Sequence, residues 1–415
     1  MEWIGEVPRH WRSCRFKDFL MLSTKASNNV NKIGLENIES KTGRFIETNT
    51  EFEGNGVEFK RNSIVYGKLR PYLQKVWLAD FDGNAVGDFF VFNARGNSCP
   101  SYIRYLMLSD GFTKEADGST LGAKMPRVSS DFIMTLHFCL PPIIEQHSIA
   151  SYLDKKCSEI DKVVSAQQKR ISLLQELKQS IITHAVTKGL NPNEEMKDSG
   201  VEWIGEVPKG WKVVPLKRFG KMNKGLSFTK ADIVDEGEKA ISYGQIHSKS
   251  NSGVRMQNEL IRFIPNALTV NSHKSIASQG DFIFADTSED YEGCGNCVYN
   301  DGVIPVFGGY HTIVLQTNST NAKYLAYLFK TDCWRFQIRS RVYGVKVFSI
   351  TQSILALCSI LLPPLPEQSA IASYLDQKCS SIDTSISKAQ HQIELLQEYK
   401  QSLITEVVTG KRKVC

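Results

Sequence analysis

Two short loops carry the residues of this chain best suited to holding a ligand, Gly122-x-Lys124 and Gly344-x-Lys346. Each sits among polar or basic neighbours: Ser119, Thr120 and Arg127 beside the first, Arg339, Arg341 and Tyr343 beside the second. Glycine lets a backbone approach a surface closely, while Lys and Arg donate to phosphate oxygens or guanine edges. A further run, "YGKLRPYLQK" (66–75), brings Lys68, Arg70, Tyr72 and Lys75 together; its approximate counterpart, "FADTSEDYEG" (284–293), is acidic. Any one such run, taken alone, reads better as a solvated loop. The recurrence of Gly-x-Lys is what points to a ligand. The candidate nucleic-acid contacts are therefore Lys68, Arg70, Tyr72, Lys124 and Arg127, and then Arg339, Arg341, Tyr343 and Lys346.

Other patterns fail for lack of context. Cys294-Gly-Asn-Cys297 is a single C-x-x-C without a second pair at zinc-finger spacing. "FEGNG" (52–56) matches an F-x-G-x-G loop, but no strand-turn-helix surrounds it, and a surface turn is the better reading. There is no G-x-x-x-x-G-K-[ST] phosphate loop, and the eight His show no metal spacing. No Ser/His/Asp arrangement stands out. The residues point to binding, with no catalytic group and no metal site.

The elements that must position the loops are duplicated. "EWIGEVP" occupies residues 2–8 and again 202–208, each followed by a Trp, at 11 and 211. A longer match begins "EQHSIASYLDKKCSEID" at 145 and "EQSAIASYLDQKCSSID" at 367, an offset of 222 instead of 200. The second copy thus holds 22 extra residues, between Trp211 and Tyr324. The chain reads as phrase, variable domain, helix, twice over. The stretches between the shared pieces, about 12–139 and 212–361, have diverged, which suggests one assembly role and two binding tasks. Short β-rich runs such as "SIVY" (63–66), "FFVF" (89–92), "DFIF" (281–284) and "HTIVL" (311–315) predict mixed α and β there, with one helix near 101–109 and 321–330.

The helices announce their own ends. Pro141-Pro142 and Pro363-Pro364 bar helix upstream, Pro366 suits a first turn, and Gly189 and Gly410 stand just past the last periodic residues. Inward positions recur at alternating steps of four and three. The first copy gives Leu153, Cys157, Ile160, Val164, Gln167, Ile171, Leu174, Lys178, Ile181 and Ala185. The second gives Leu375, Cys379, Ile382, Ile386, Ala389, Ile393, Leu396, Lys400, Leu403 and Val407. This predicts a coiled-coil seam of four to five heptads broken by Gln167, Lys178 and Lys400. Thirty-three residues, 153–185, make a rod of roughly 50 Å. Antiparallel pairing of two such helices would place the variable domains at opposite ends.

Composition adds bounds. With 415 residues, 41% hydrophobic and 23% charged, the chain is of ordinary globular make-up and long enough for two or three domains. It has no apolar run of membrane-spanning length and no signal-peptide pattern at Met1-Glu2-Trp3, so a cytoplasmic protein with no membrane association is expected. Ten cysteines in so long a chain form no dense disulfide framework. A formal charge of +6 is compatible with nucleic acid but too mild to argue for it alone.

Taken together, "GVEWIGEVPKGW" (200–211), "EWIGEVPRHW" (2–11), "LPPIIEQHSIASYLD" (140–154) and "LPPLPEQSAIASYLD" (362–376) resemble the specificity subunits of type I restriction-modification enzymes. The resemblance covers essentially the whole chain; one departure is that no "DSGV" precedes the first phrase as it does the second (198–201). It implies an α+β fold with a pseudo-twofold internal repeat: two mixed α/β target-recognition domains separated by two long antiparallel coiled-coil spacer helices. The expected divisions are 1–140 for the first recognition domain, 141–189 for the first spacer, 190–361 for a linker and the second recognition domain, and 362–415 for the second spacer and a basic tail. The resemblance also implies that each recognition domain reads one half of a bipartite, asymmetric site in double-stranded DNA. The spacers set the spacing and dock two modification subunits. The chain is then no enzyme by itself and carries no cofactor: S-adenosylmethionine belongs to the modification subunits, which methylate adenine, and ATP and Mg to restriction subunits that cleave DNA. The alternative is a coiled-coil scaffold binding only protein partners.

Overall fold

The β-branched and aromatic runs become central strands because each can bury both of its faces. The structure, a computed structural model, describes residues 4–27, 31–122, 124–317, 322–344 and 346–414. Trp3, Ala123 and Val345 lie outside the described residues. The chain divides into two units, one of residues 1–170 with 388–415, the other of residues 171–387.

In the first unit a four-stranded antiparallel sheet runs in the order Leu20–Ser23, Phe89–Ala94, Ile64–Gly67, Val76–Leu78. Alternation along its strands feeds two cores. Ile64, Tyr66 and Phe92 join the large cluster under the helices, while Val65 and Val91 join a second cluster with Trp77 and Phe59 beneath another four-stranded sheet. The second unit repeats this order with Gly220–Lys224, Thr312–Thr317, Phe282–Ala285 and Cys297–Tyr299. There Phe282 and Phe284 face one core, and Ile283 and Ala285 the other. Matching the registers makes Leu20 equivalent to Gly220, Ile33 to Ile241, Ile64 to Phe282 and Phe92 to Leu315. The extra residues of the second copy are thus spread over several connections, not inserted as one block.

The helix expected near 101–109 and 321–330 is present in both units, and a second helix follows it directly. Pro100–Met107 is followed by Asp110–Gly118, and Lys323–Leu328 by Asp332–Arg339. The side chains of Ser109 and Thr331 cap the added helices, accepting from Phe112 and Trp334 N–H. Within each unit two tyrosines pin this region to the long helices. Tyr102 donates to the Val408 carbonyl and Tyr105 to Asp154; in the second unit Tyr324 donates to the Val186 carbonyl and Tyr327 to Asp376.

The long helices are Ile143–Lys188 and Leu365–Val408, 46 and 44 residues, each beginning well before the first seam position, Leu153 or Leu375, and ending close behind the last, Ala185 or Val407. Gly189 and Gly410 end them with left-handed backbone, φ +78° and +73°. Seam positions Leu153, Ile160, Leu375, Ile382, Ile393 and Leu403 are buried, and Ile171, Leu174, Ile181 and Leu396 half-buried. Near the ends the apolar stripe widens to include Ile149, Ile182, Val186, Ile371, Ile404 and Val408, because there each helix also faces the core of its unit.

The two seam lysines are paired. Lys400 Nζ lies 2.7 Å from Asp161 in the first unit, and Lys178 Nζ lies 2.6 Å from Asp383 in the second. With Trp11 bonding Glu145 beside Gly410, and Trp211 bonding Glu367 beside Gly189, these contacts make the helix segments of each unit antiparallel. Burial separates the two ion pairs: the Lys400 side chain is 10% exposed and that of Lys178 26%. Asp161→Ala is expected to cost the first unit about 3 kcal/mol, since it strands a nearly buried ammonium. Asp383→Ala should cost about 1 kcal/mol, since Lys178 keeps more solvent. Urea unfolding of the two variants measures both, and equal losses would refute burial as the deciding factor.

The repeated phrase is a clamp. Ile4, Trp11, Val207 and Trp211 are buried, and Pro8 with Trp11, or Pro208 with Trp211, closes over the terminal glycine of a long helix. A Cβ at Gly410 would collide with Pro8.

Candidate nucleic-acid interface

Both Gly-x-Lys loops emerge at the same place in their units, and each depends on its glycine for a different reason. Gly122 takes φ +99°, open to glycine alone at low cost. At Gly344 a Cβ would run into the Val347 carbonyl, so the loop can fold back on itself only without a side chain. In the first unit Leu121 and Arg127 bridge across the loop, and Arg127 also bridges to Leu69. In the second, Phe348–Ser349 pairs antiparallel with Thr287–Ser288 at the corresponding position.

In the first unit the structure brings most of the candidates together. Lys124 is exposed at the loop tip, beside exposed Leu121 and Met125. Arg70 is exposed, with left-handed backbone at φ +52°, and its N–H donates to the Pro126 carbonyl at 2.8 Å, strapping run 66–75 to the loop. Tyr72 is half-exposed on the turn that follows. Arg127 grips Asp88 with two donors at 3.0 and 2.9 Å and stays half-exposed. That guanidinium holds the Asp88 carboxyl below the usual range. Lys68 lies 3.7 Å from Asp88, over the Phe90 ring. Lys75 turns inward instead, donating to the Leu35 and Ile38 carbonyls.

In the second unit the candidates divide. Tyr343 is 89% exposed and Lys346 is exposed, so both are presented by the loop. Arg339 is not. It ends helix Asp332–Arg339, its side chain is 8% exposed, and it pairs with Glu292 at 2.8 Å and Asp332 at 3.1 Å while also donating to the Tyr291 carbonyl. Its donors are spent within the fold, so Arg339 is withdrawn as a ligand contact. Arg341, half-buried, donates to the Gln337 carbonyl of the same helix. Arg339 neighbours the Gly344-x-Lys346 loop in sequence but belongs to the helix before it.

The sequence placed Asp286 and Thr287 only within the acidic run 284–293 and did not single out Asp88, Tyr310 or His311; all five lie at the base of these loops. No local motif marks them; only the sheet register brings them there. Elsewhere, Cys294 and Cys297 are buried thiols, and burial pushes Cys297 up to about 12. No group of His, Cys, Asp or Glu suited to a metal occurs among the described residues. No described helix is long and apolar enough to cross a membrane.

Comparison with known proteins agrees with this architecture. A family model described as the type I restriction modification DNA specificity domain matches residues 208–395. The type I restriction enzyme MjaVIII specificity subunit of Methanocaldococcus jannaschii is 22% identical, over 98% of this chain and 94% of that protein. The EcoDI specificity subunit of Escherichia coli is 26% identical over 44% of this chain and 43% of its own length. Among solved structures, one on complex assembly and conformational transition of the type I restriction-modification system contains a chain that superposes with a TM-score of 0.75 at 17% identity, covering 98% of this chain and all of that one. The HsdS subunit from Thermoanaerobacter tengcongensis superposes with a TM-score of 0.54 at 17% identity, covering 98% of both chains.

Proposed function

The chain belongs to the type I restriction-modification specificity subunits, and from that premise we propose that its two units read the two halves of one bipartite, asymmetric DNA site. The observation that carries this reading is a single sheet-and-loop module present twice, with one shared lysine (Lys124, Lys346) and otherwise unlike residues at matching positions: Arg70 and Arg127 of the first unit stand where the second has Ser288 and Ser349, and Tyr343 of the second stands where the first has Leu121. A shared scaffold with unlike contact residues suits two different base sequences. The long helices are the spacer that sets the gap between half-sites. They carry half-exposed apolar pairs at repeat-related positions, Leu173 with Leu177 and Leu395 with Tyr399, which suit the docking of one modification subunit on each. Methylation is then performed by those subunits with S-adenosylmethionine, and ATP- and Mg-dependent cleavage by restriction subunits. This chain contributes recognition and assembly.

Lys346→Ala in the assembled complex tests the interface. A base contact predicts a loss of about tenfold or more in affinity and relaxed specificity in the second half-site alone. A phosphate contact predicts weaker binding to every duplex, with the salt slope reduced by about 0.9. Unchanged affinity at all salt concentrations would remove Lys346 from the interface.

A further inference from the structure

One rung beyond the central strands, directly beneath the Gly-x-Lys loop, the two units share a seat filled by different chemistry. In the first, Lys68 N–H donates to the Asp88 carbonyl at 2.9 Å, and the Lys68 carbonyl accepts from Val128 N–H at 3.2 Å. In the second, Asp286 N–H donates to the His311 carbonyl at 3.1 Å, and the Asp286 carbonyl accepts from Ile350 N–H at 2.7 Å. The backbone therefore makes position 68 equivalent to 286 and position 88 equivalent to 311. The side chains are reversed in polarity. Lys68 faces Asp88, with Arg127 added; Asp286 faces His311, with Thr287 added.

The second seat is built to present an imidazole. His311 Nδ1 lies 2.9 Å from the Asp286 carboxylate, which also accepts from Thr287 Oγ at 2.7 Å. A carboxylate only accepts, so Nδ1 carries the proton and the neutral ring offers Nε2 as an acceptor. No described residue bonds Nε2, and the side chain is 41% exposed. The Tyr310 ring lies 4.1 Å from the imidazole and the Tyr243 ring 5.7 Å away, edge-on, which hold the ring in place from two directions. His311 also adopts φ +54°, a left-handed conformation that histidine takes at a cost and that here aims the side chain from the end of its strand.

Resting on the DNA-reading function above, we propose that this seat determines specificity in each half-site. His311 Nε2 accepts a hydrogen bond from an exocyclic amino group in the major groove, adenine N6 or cytosine N4, and Asp286 is its positioning residue. The first seat, with Lys68 and the outward donors of Arg127, addresses acceptors such as guanine O6 and N7 instead.

The test uses the complex assembled with its modification subunits and a duplex carrying its methylated motif. His311→Ala is expected to reduce discrimination about tenfold at one base pair of the second half-site, leaving the other positions and the first half-site unchanged. Asp286→Ala should do the same, while Asp286→Asn, which keeps an acceptor for Nδ1–H, should restore most of the preference. Replacing adenine by purine, or cytosine by 2-pyrimidinone, at that position removes the amino group and identifies which base supplies it. Binding should fall about tenfold for the parent complex and not at all for His311→Ala. If His311→Ala leaves the motif intact while Lys346→Ala weakens binding, the seat does not read bases although the unit still binds DNA. If neither variant changes binding or motif, the DNA-reading assignment of this face falls with it.

Discussion

Exchanging residues 12–139 for the matching segment of another type I specificity subunit should replace one half of the methylated motif completely and leave the other half untouched. The fold supports those cut points. Arg12–Arg15 pairs antiparallel with His137–Leu140, so the segment begins and ends on neighbouring strands and can be lifted out without breaking a sheet elsewhere. Lys212–Pro215 and Ser359–Leu362 close the second module in the same way. Among the contacts a donor segment must reproduce are the hydroxyls corresponding to Tyr102 and Tyr105, which reach the Val408 carbonyl and Asp154, the backbone at Asn97 and Cys99 held by Gln146, and the backbone at Leu108 and Asp110 held by Gln401 and Thr405. A donor with those tyrosines keeps the large core of the first unit. Methylome sequencing of a host carrying the exchanged chain reads the outcome. A motif changed in both halves, or in neither, would sink the modular assignment.

The second large effect concerns spacing. A four-residue insertion after Gln175, matched by one after Gln397, should move methylation to the same two half-sites separated by a longer gap, with the original spacing lost. Four residues add about 6 Å of helix, and at about 3.4 Å per base pair that is close to two base pairs. The insertion points are exposed and lie where the seam is only half-buried, at Leu174 and Leu396. Both ion pairs survive: Lys178 and Asp383 stay in register within one unit, and Lys400 and Asp161 within the other. Four residues nearly preserve the stripe as a local stutter, whereas a heptad keeps the register but overshoots at about three base pairs. Circular dichroism shows whether helix was gained. An extended helix with methylation still at the old spacing would rule out the helices as a ruler.

Much of the organisation is local and could be read directly. Proline pairs at 141–142 and 363–364, glycines at 189 and 410, and a four-three periodicity between them each act within a turn or two of backbone, so helix identity and ends follow from the residues themselves. The duplication was equally legible, because "EWIGEVP" and "IASYLD" recur letter for letter. So was the recurrence of two Gly-x-Lys loops, although the reason for each glycine, left-handed φ in one and close backbone approach in the other, was not.

What only the tertiary structure decided are the partners of charged groups. Lys178 and Lys400 looked like breaks in the seam until Asp383 and Asp161, some two hundred positions away, arrived beside them. Arg339 has the composition of a ligand contact, yet the helix it ends turns it onto Glu292 and Asp332. The seat under each loop is the clearest case. Lys68 and Asp286, or Asp88 and His311, share neither residue type nor sequence offset, because connections of different length lie between the matching strands. Their equivalence is created by hydrogen-bond register across a sheet. Register is a property of paired strands, and a side chain's charge finds its counter-charge only once that pairing has brought distant segments together.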